Sequence, residues 1–158
     1  MRNLFLCSIL FLVFACSDDT VAPPKDVSDD AVIWTGANIT FAKAANDDPS
    51  LEANQDRITD NVWITRGNDG GQIFNAKEEN MSDKSDSPKG TLWAVGSIDN
   101  IENLTFEPFR TAVGSPKSVV DKDLVLFLQE DEIYLSVKFT SWGAQKSGGF
   151  TYERSTEN

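Results

Sequence analysis

The chain contains no histidine, and its only two cysteines, Cys7 and Cys16, sit at the extreme N-terminus. Without histidine, Ser-His-Asp and Cys-His catalysis and histidine-bearing zinc sites are excluded. A body without cysteine holds no disulfide, thiol nucleophile or iron–sulfur cluster. Positive charge is scarce too: 14 Lys and Arg stand against 25 Asp and Glu, a formal net charge of −11. Phosphate backbones demand a basic face, so nucleic acid is not an expected partner. Residues 4–15 form an apolar run, shorter than the roughly 20 residues that span a hydrocarbon core. What remains is ordinary for a folded chain. Of the 158 residues, 40% are hydrophobic and 10% aromatic, enough for a packed core and, as a soft prior, for one domain.

The N-terminal segment is built as a secretory signal peptide. Arg2 supplies one positive charge, the apolar run 4–15 follows, and it stops abruptly at Ser17-Asp18-Asp19. A buried helix of a folded domain would show a polar face, and this run shows almost none. Val13-Phe14-Ala15-Cys16 resembles the lipobox of bacterial lipoproteins, in which a small residue precedes an invariant cysteine. Phe14 is bulkier than that pattern usually carries. The resemblance implies a signal peptide over 1–15, cleavage before Cys16, and a diacylglycerol on the Cys16 sulfur. Multiple acyl chains, each buried methylene contributing roughly 0.8 kcal/mol, make a lasting anchor. Cys7 reads as an incidental member of the apolar run.

Residues 16–30 are polar and acidic with Pro23-Pro24, the composition of a solvated and partly stiffened tether. Ser17-Asp18-Asp19 resembles the acidic export signal of Bacteroidetes-type surface lipoproteins. That implies a place in the outer membrane, facing the cell exterior. The alternative is a flexible linker on a lipoprotein facing the periplasm.

From residue 31 onward, short apolar runs alternate with Gly, Asn, Asp and Pro, and 31–158 reads as one β-domain. Strands are expected at 31–35 and 38–42, around a turn at Gly36-Ala37. Residues 62–65 and 72–76 read as a hairpin across the turn cluster 67–71 (GNDGG). Residues 78–89 read as a mobile loop and 91–96 as the next strand. The apolar run 124–128 suggests a central strand buried on both faces. Along 133–140, Ile133, Leu135, Val137 and Phe139 point one way, and Tyr134, Ser136, Lys138 and Thr140 the other. A closing strand is expected at 150–154. Helical signal is thin: 49–58 (PSLEANQDRI) has Asp48 as a candidate N-cap and Pro49 at the first helical position, and 100–104 reads as a short turn. About eight strands with regular turns predict an antiparallel β-sandwich or jelly-roll-like domain.

The stretches IWTGANITFAKA (33–44), EANQDRITDNVWITRGNDGGQIFN (52–75), NIENLTFEPFRTAVG (100–114), and LSVKFTSW with GGFTYERST (135–142, 148–156) resemble a domain of secreted and surface proteins of Bacteroidetes and other environmental bacteria. The resemblance spans most of 31–158. It implies an extracellular β-domain and supplies no catalytic residues.

Four groups of side chains carry candidate chemistry. Asp47, Asp48, Asn68 and Asp69 lie in oxygen-rich clusters of the sort that hold calcium, although they lack the alternating spacing of a calcium loop, and turns favour the same residues. Among Trp34, Trp63, Trp93 and Trp142, the candidates for stacking on a ligand ring are Trp63, between inward-facing neighbours, and Trp142, beside a glycine-rich loop; core filling is the competing role. Glu130, Asp131 and Glu132 could pair as glycosidase carboxylates, but they fall at a hairpin tip. Arg57, Arg66, Arg110 and Arg154 are expected to pair with carboxylates, an anion site being the sharper alternative. These readings favour a non-catalytic binding or adhesion module, with glycan as one ligand. An accessory envelope lipoprotein that contacts other proteins and, behind it, a carboxylate-dependent hydrolase are the alternatives.

Overall fold

The computed structural model describes residues 31–158. The signal peptide, Cys16 and the tether through residue 30 lie outside the described residues. Nine strands follow: β1 Val32–Trp34, β2 Ile39–Lys43, β3 Asp56–Arg57, β4 Trp63–Arg66, β5 Ile73–Asn75, β6 Thr91–Val95, β7 Asp123–Leu128, β8 Ile133–Trp142 and β9 Phe150–Arg154. They form two sheets. One runs β2-β9-β8-β7-β6 with β1 added against β8, and the other is β3-β4-β5. The expected antiparallel β-sandwich is what the chain adopts, with one exception to its direction. β1 pairs parallel to the first half of β8 (Val32 opposite Ile133), while β9 runs antiparallel to the second half (Val137 opposite Arg154). Ten residues of β8 thus serve two partners along one edge.

Alternation along the strands builds the core. Leu124, Leu126 and Leu128 of β7 and Leu135, Val137 and Phe139 of β8 meet Ile64 and Ile73 of the small sheet in one cluster. Trp93 and Phe109 lie inside it with their ring centroids 5.0 Å apart. β7 lies between β6 and β8 and is buried over most of its length, as its apolar run requires.

The opposite face of β8 is not uniformly solvated. Tyr134 is buried and stacks on Phe127 at 4.3 Å, and Phe106 and Ile101 close a second, smaller core over them. The cover comes from the 3-10 segment Ile98–Asn103, where the short turn at 100–104 was expected. From Ser136 through Lys138 to Thr140 this face reaches water.

The helix expected over 49–58 does not form. One 3-10 turn, Glu52–Asn54, is followed by β3. Here Asp48 caps a tighter turn by accepting from Ser50 N (2.8 Å) and Ser50 Oγ (2.7 Å). The Asn54 and Gln55 amides then reach back to the carbonyls of Asp48 (2.8 Å) and Pro49 (2.9 Å). Side-chain bonds of this kind compete with a marginal short helix, and the sheet claims Asp56 and Arg57. The one α-helix among the described residues, Phe109–Val113, was not foreseen; Phe109 is its core anchor. The loop over 78–89 has no regular element but is tied down: Gln72 Nε2 donates to the carbonyls of Asp83 (2.5 Å) and Asp86 (2.6 Å).

Candidate functional site

Two arginine–tryptophan pairs lie at clefts in the sandwich surface. In the first, the Arg57 guanidinium of β3 sits 4.1 Å over the Trp63 ring of β4, its cross-strand neighbour. Arg57 also pairs with Glu52 at 3.0 Å. Trp63 is half-buried and borders a shallow cleft with Pro49, Phe74 and Glu79. Its position follows from alternation, since Val62 and Ile64 face inward.

The second pair depends on a bulge. The β8–β9 register runs from Phe139 opposite Tyr152 directly to Ser141 opposite Thr151, leaving Thr140 as the extra residue. One inserted residue reverses the side-chain parity of everything after it. Trp142 is therefore on the side of Phe139 (centroids 5.6 Å apart) and Phe109 (6.2 Å), instead of pointing away from them. Its indole is half-buried, with the Arg66 guanidinium 4.0 Å over the ring.

Arg66, the last residue of β4, is only 2% exposed. Its Nη1 donates to the carbonyls of Gly143 (3.0 Å) and Gly149 (2.9 Å), and its Nε to that of Gly71 (3.4 Å). Neutral carbonyls hold it, and no described carboxylate pairs with it. Burial lowers the affinity of this guanidinium for its proton. A cleft of about 220 Å³ opens over it, lined also by Lys84, Arg110, Lys117 and Trp142, with no Asp or Glu on its walls.

The loops beneath the cleft interlock. Gly148 has φ +67°, and a Cβ there would lie 2.1 Å from Asn68 Oδ1 and 2.7 Å from the Gly67 carbonyl, so only glycine lets the two loops touch. Asn68 accepts from Lys43 Nζ (3.0 Å) and donates to the Asp47 carbonyl (2.8 Å). Lys43 is buried, and its ammonium is pushed down by desolvation, with Arg66 adding to the shift and Asp47 opposing it.

The expected calcium ligands are thus divided. Asn68 meets the backbone carbonyl of Asp47 and the Lys43 ammonium, Asp48 holds its own turn, and the Asp69 carboxylate lies beside Gly67. No group of three or more acidic or thiol ligands converges among the described residues. Of the hairpin-tip acids, Asp131 accepts from Thr59 Oγ1 (2.7 Å) and Asn61 Nδ2 (2.8 Å), a link between chain segments.

The arginines do not behave alike. Arg154 grips Asp56 and Arg57 pairs with Glu52, as expected, whereas Arg66 and Arg110 form no ion pair with any described residue. Residue counting had no means of separating them. A larger cleft, about 520 Å³, lies elsewhere, between Pro88, Leu92, Phe106 and Gln129 beside β6, and its charged lining is mixed in sign, with Asp86, Lys89 and Glu107. No family model, curated protein or solved structure matches the chain.

Proposed function

We propose that this chain is a lipid-anchored, surface-displayed binding module whose ligand is a glycan. The observation that carries the reading is the placement of Trp63 and Trp142. Both are half-exposed at clefts on a rigid two-sheet scaffold, and each carries an arginine over its ring. Flat aromatic surface beside fixed hydrogen-bond donors suits ring-shaped polar ligands. The anchor is the lipid on Cys16, and the acidic tether 16–30 holds the domain clear of the membrane on the exterior face.

A glycan array probed with the purified full chain tests the reading. Binding that is lost on Trp63→Ala or weakened by changes around Trp142 supports it, and silence across neutral and charged glycans removes it. A second reading, contact with an envelope protein, is favoured by strand β2. It is an edge of the large sheet among the described residues, and Ile39 on it is 42% exposed. Crosslinking in intact cells separates the two readings: a stoichiometric protein partner favours the second.

A further inference from the structure

The cleft over Arg66 gathers Arg66, Lys84, Arg110 and Lys117 in a chain of net charge −11, and no carboxylate lines it. The three ion pairs among the described residues are Arg57–Glu52, Lys138–Asp123 and Arg154–Asp56, so none of these four cations takes part in one. Arg154 is the internal comparison. It is buried too, and there the fold supplies a carboxylate on two prongs, 2.7 and 2.9 Å away. At Arg66 it supplies three glycine carbonyls, which fix the group and leave its charge uncompensated.

A buried charge without a partner is costly, and proteins resolve the cost by pairing or by binding an ion. Nη2 of Arg66 has no hydrogen-bond partner among the described residues. Arg66 lines the cleft with the Trp142 indole against it, and Lys84, Arg110 and Lys117 line the same cleft.

We propose that this cleft binds the oxyanion groups of an acidic polysaccharide, carboxylate or sulfate. This rests on the glycan reading above and names its ligand class. Nη2 of Arg66 donates to one oxyanion in the cleft, the half-exposed indole lies against the sugar ring that bears it, and Lys84, Arg110 and Lys117 meet neighbouring charges along the polymer. At about 220 Å³ the cleft is smaller than a drug-sized pocket of roughly 300–1,000 Å³ and suits one substituted ring of a longer chain. The acidic remainder of the surface repels anions, which confines attraction to this cleft.

The test is calorimetry on the purified full chain with polygalacturonate, dextran sulfate, neutral dextran, polyglutamate and inorganic sulfate. One or both acidic polysaccharides bind, binding weakens with added salt, and neutral dextran does not compete. Arg110→Gln combined with Lys117→Gln, both on the rim, weakens binding at least tenfold, while Lys138→Gln, on the far face of β8, leaves it within twofold. Failure of the rim variant to weaken binding, or an equal loss in Lys138→Gln, overturns the site. Polyglutamate or inorganic sulfate binding as tightly as the polysaccharides overturns the ligand class. Tighter binding after Asp26, Asp29 and Asp30 are changed to Asn makes the chain's own tether the occupant and also overturns it. Binding of neutral glycans alone defeats this inference and leaves the proposed function standing, whereas silence toward every glycan defeats both.

Discussion

Arg154 of β9 holds Asp56 of β3 through both carboxylate oxygens, Nε to Oδ2 at 2.7 Å and Nη2 to Oδ1 at 2.9 Å, and so ties the large sheet to the small one. Each side chain is 7% exposed, and the Tyr152 hydroxyl adds a third bond to Asp56 at 2.6 Å. Removing one member of a buried pair strands the other charge. Asp56→Ala is expected to lower unfolding free energy by about 3–5 kcal/mol. The exposed pair Lys138–Asp123, also 3.0 Å or closer but 44% and 70% exposed, sets the contrast: Asp123→Ala is expected to cost less than about 1 kcal/mol. Urea denaturation of both variants decides the point, and equal losses contradict it.

The same cluster sets an alkaline limit. Burial, then the charge of Asp56, pushes the Tyr152 phenol well above its ordinary value of 10.0, and burial also raises Tyr134, next to Glu132. A group whose folded value is raised stabilises the fold fully below its unfolded value, and that contribution fades as pH climbs above it toward the folded value. Stability from these phenols is therefore flat through neutrality and falls above about pH 10. In Tyr152→Phe, stability at neutral pH drops by about 1.5–3 kcal/mol, the range for a hydrogen bond to a charged group, and the alkaline fall becomes shallower. Denaturation midpoints taken across that pH range measure both effects; an unchanged alkaline slope contradicts the assignment.

Phe139 is fully buried and packs against Trp93, Phe109, Trp142, Phe150 and Tyr152. Phe139→Ala is expected to cost about 3–5 kcal/mol through lost burial and the cavity left behind. Because Trp142 leans on this ring, near-ultraviolet circular dichroism from the tryptophans should weaken as well. A loss under 1 kcal/mol contradicts the packing described.

Gly148→Ala forces a Cβ into Asn68 and places a side chain at φ +67°. A cost of about 1–3 kcal/mol is expected from strain at that position. The loops should part, so exchange of the Gly143 amide, which donates to the Gly149 carbonyl at 2.8 Å, should speed up in the variant. Unchanged exchange and stability contradict the interlock.

Local periodicity made most of this fold legible. The alternation of β8, the apolar run of β7 and the turn-bounded hairpin β4–β5 each carry their own signal over a few residues. What stayed hidden depends on distant partners. The parallel seat of β1 on β8 leaves no local mark, and neither does the second core over Tyr134, which needs Ile101 and Phe106 to come across from another segment. The bulge at Thr140 carries no glycine or proline to announce it, so the direction of Trp142 could not be read by counting. The helical pattern at 49–58 lost to side-chain bonds and to pairing with β4. Arginine pairing was least visible: Arg154 and Asp56 are 98 positions apart, and nothing near Arg66 in sequence announces that its partners are carbonyls.

The most direct test of the account follows the indole N–H signals of the four tryptophans by NMR while polygalacturonate or dextran sulfate is added to the full chain. Trp93, buried and already donating to Thr91 Oγ1 at 3.1 Å, and Trp34, in the core, serve as internal references. The account predicts that the Trp142 signal moves, saturating with the acidic polymer and reversing with salt, while Trp34 and Trp93 hold still. Movement at Trp63 with Trp142 unmoved, or no movement at any tryptophan, contradicts it.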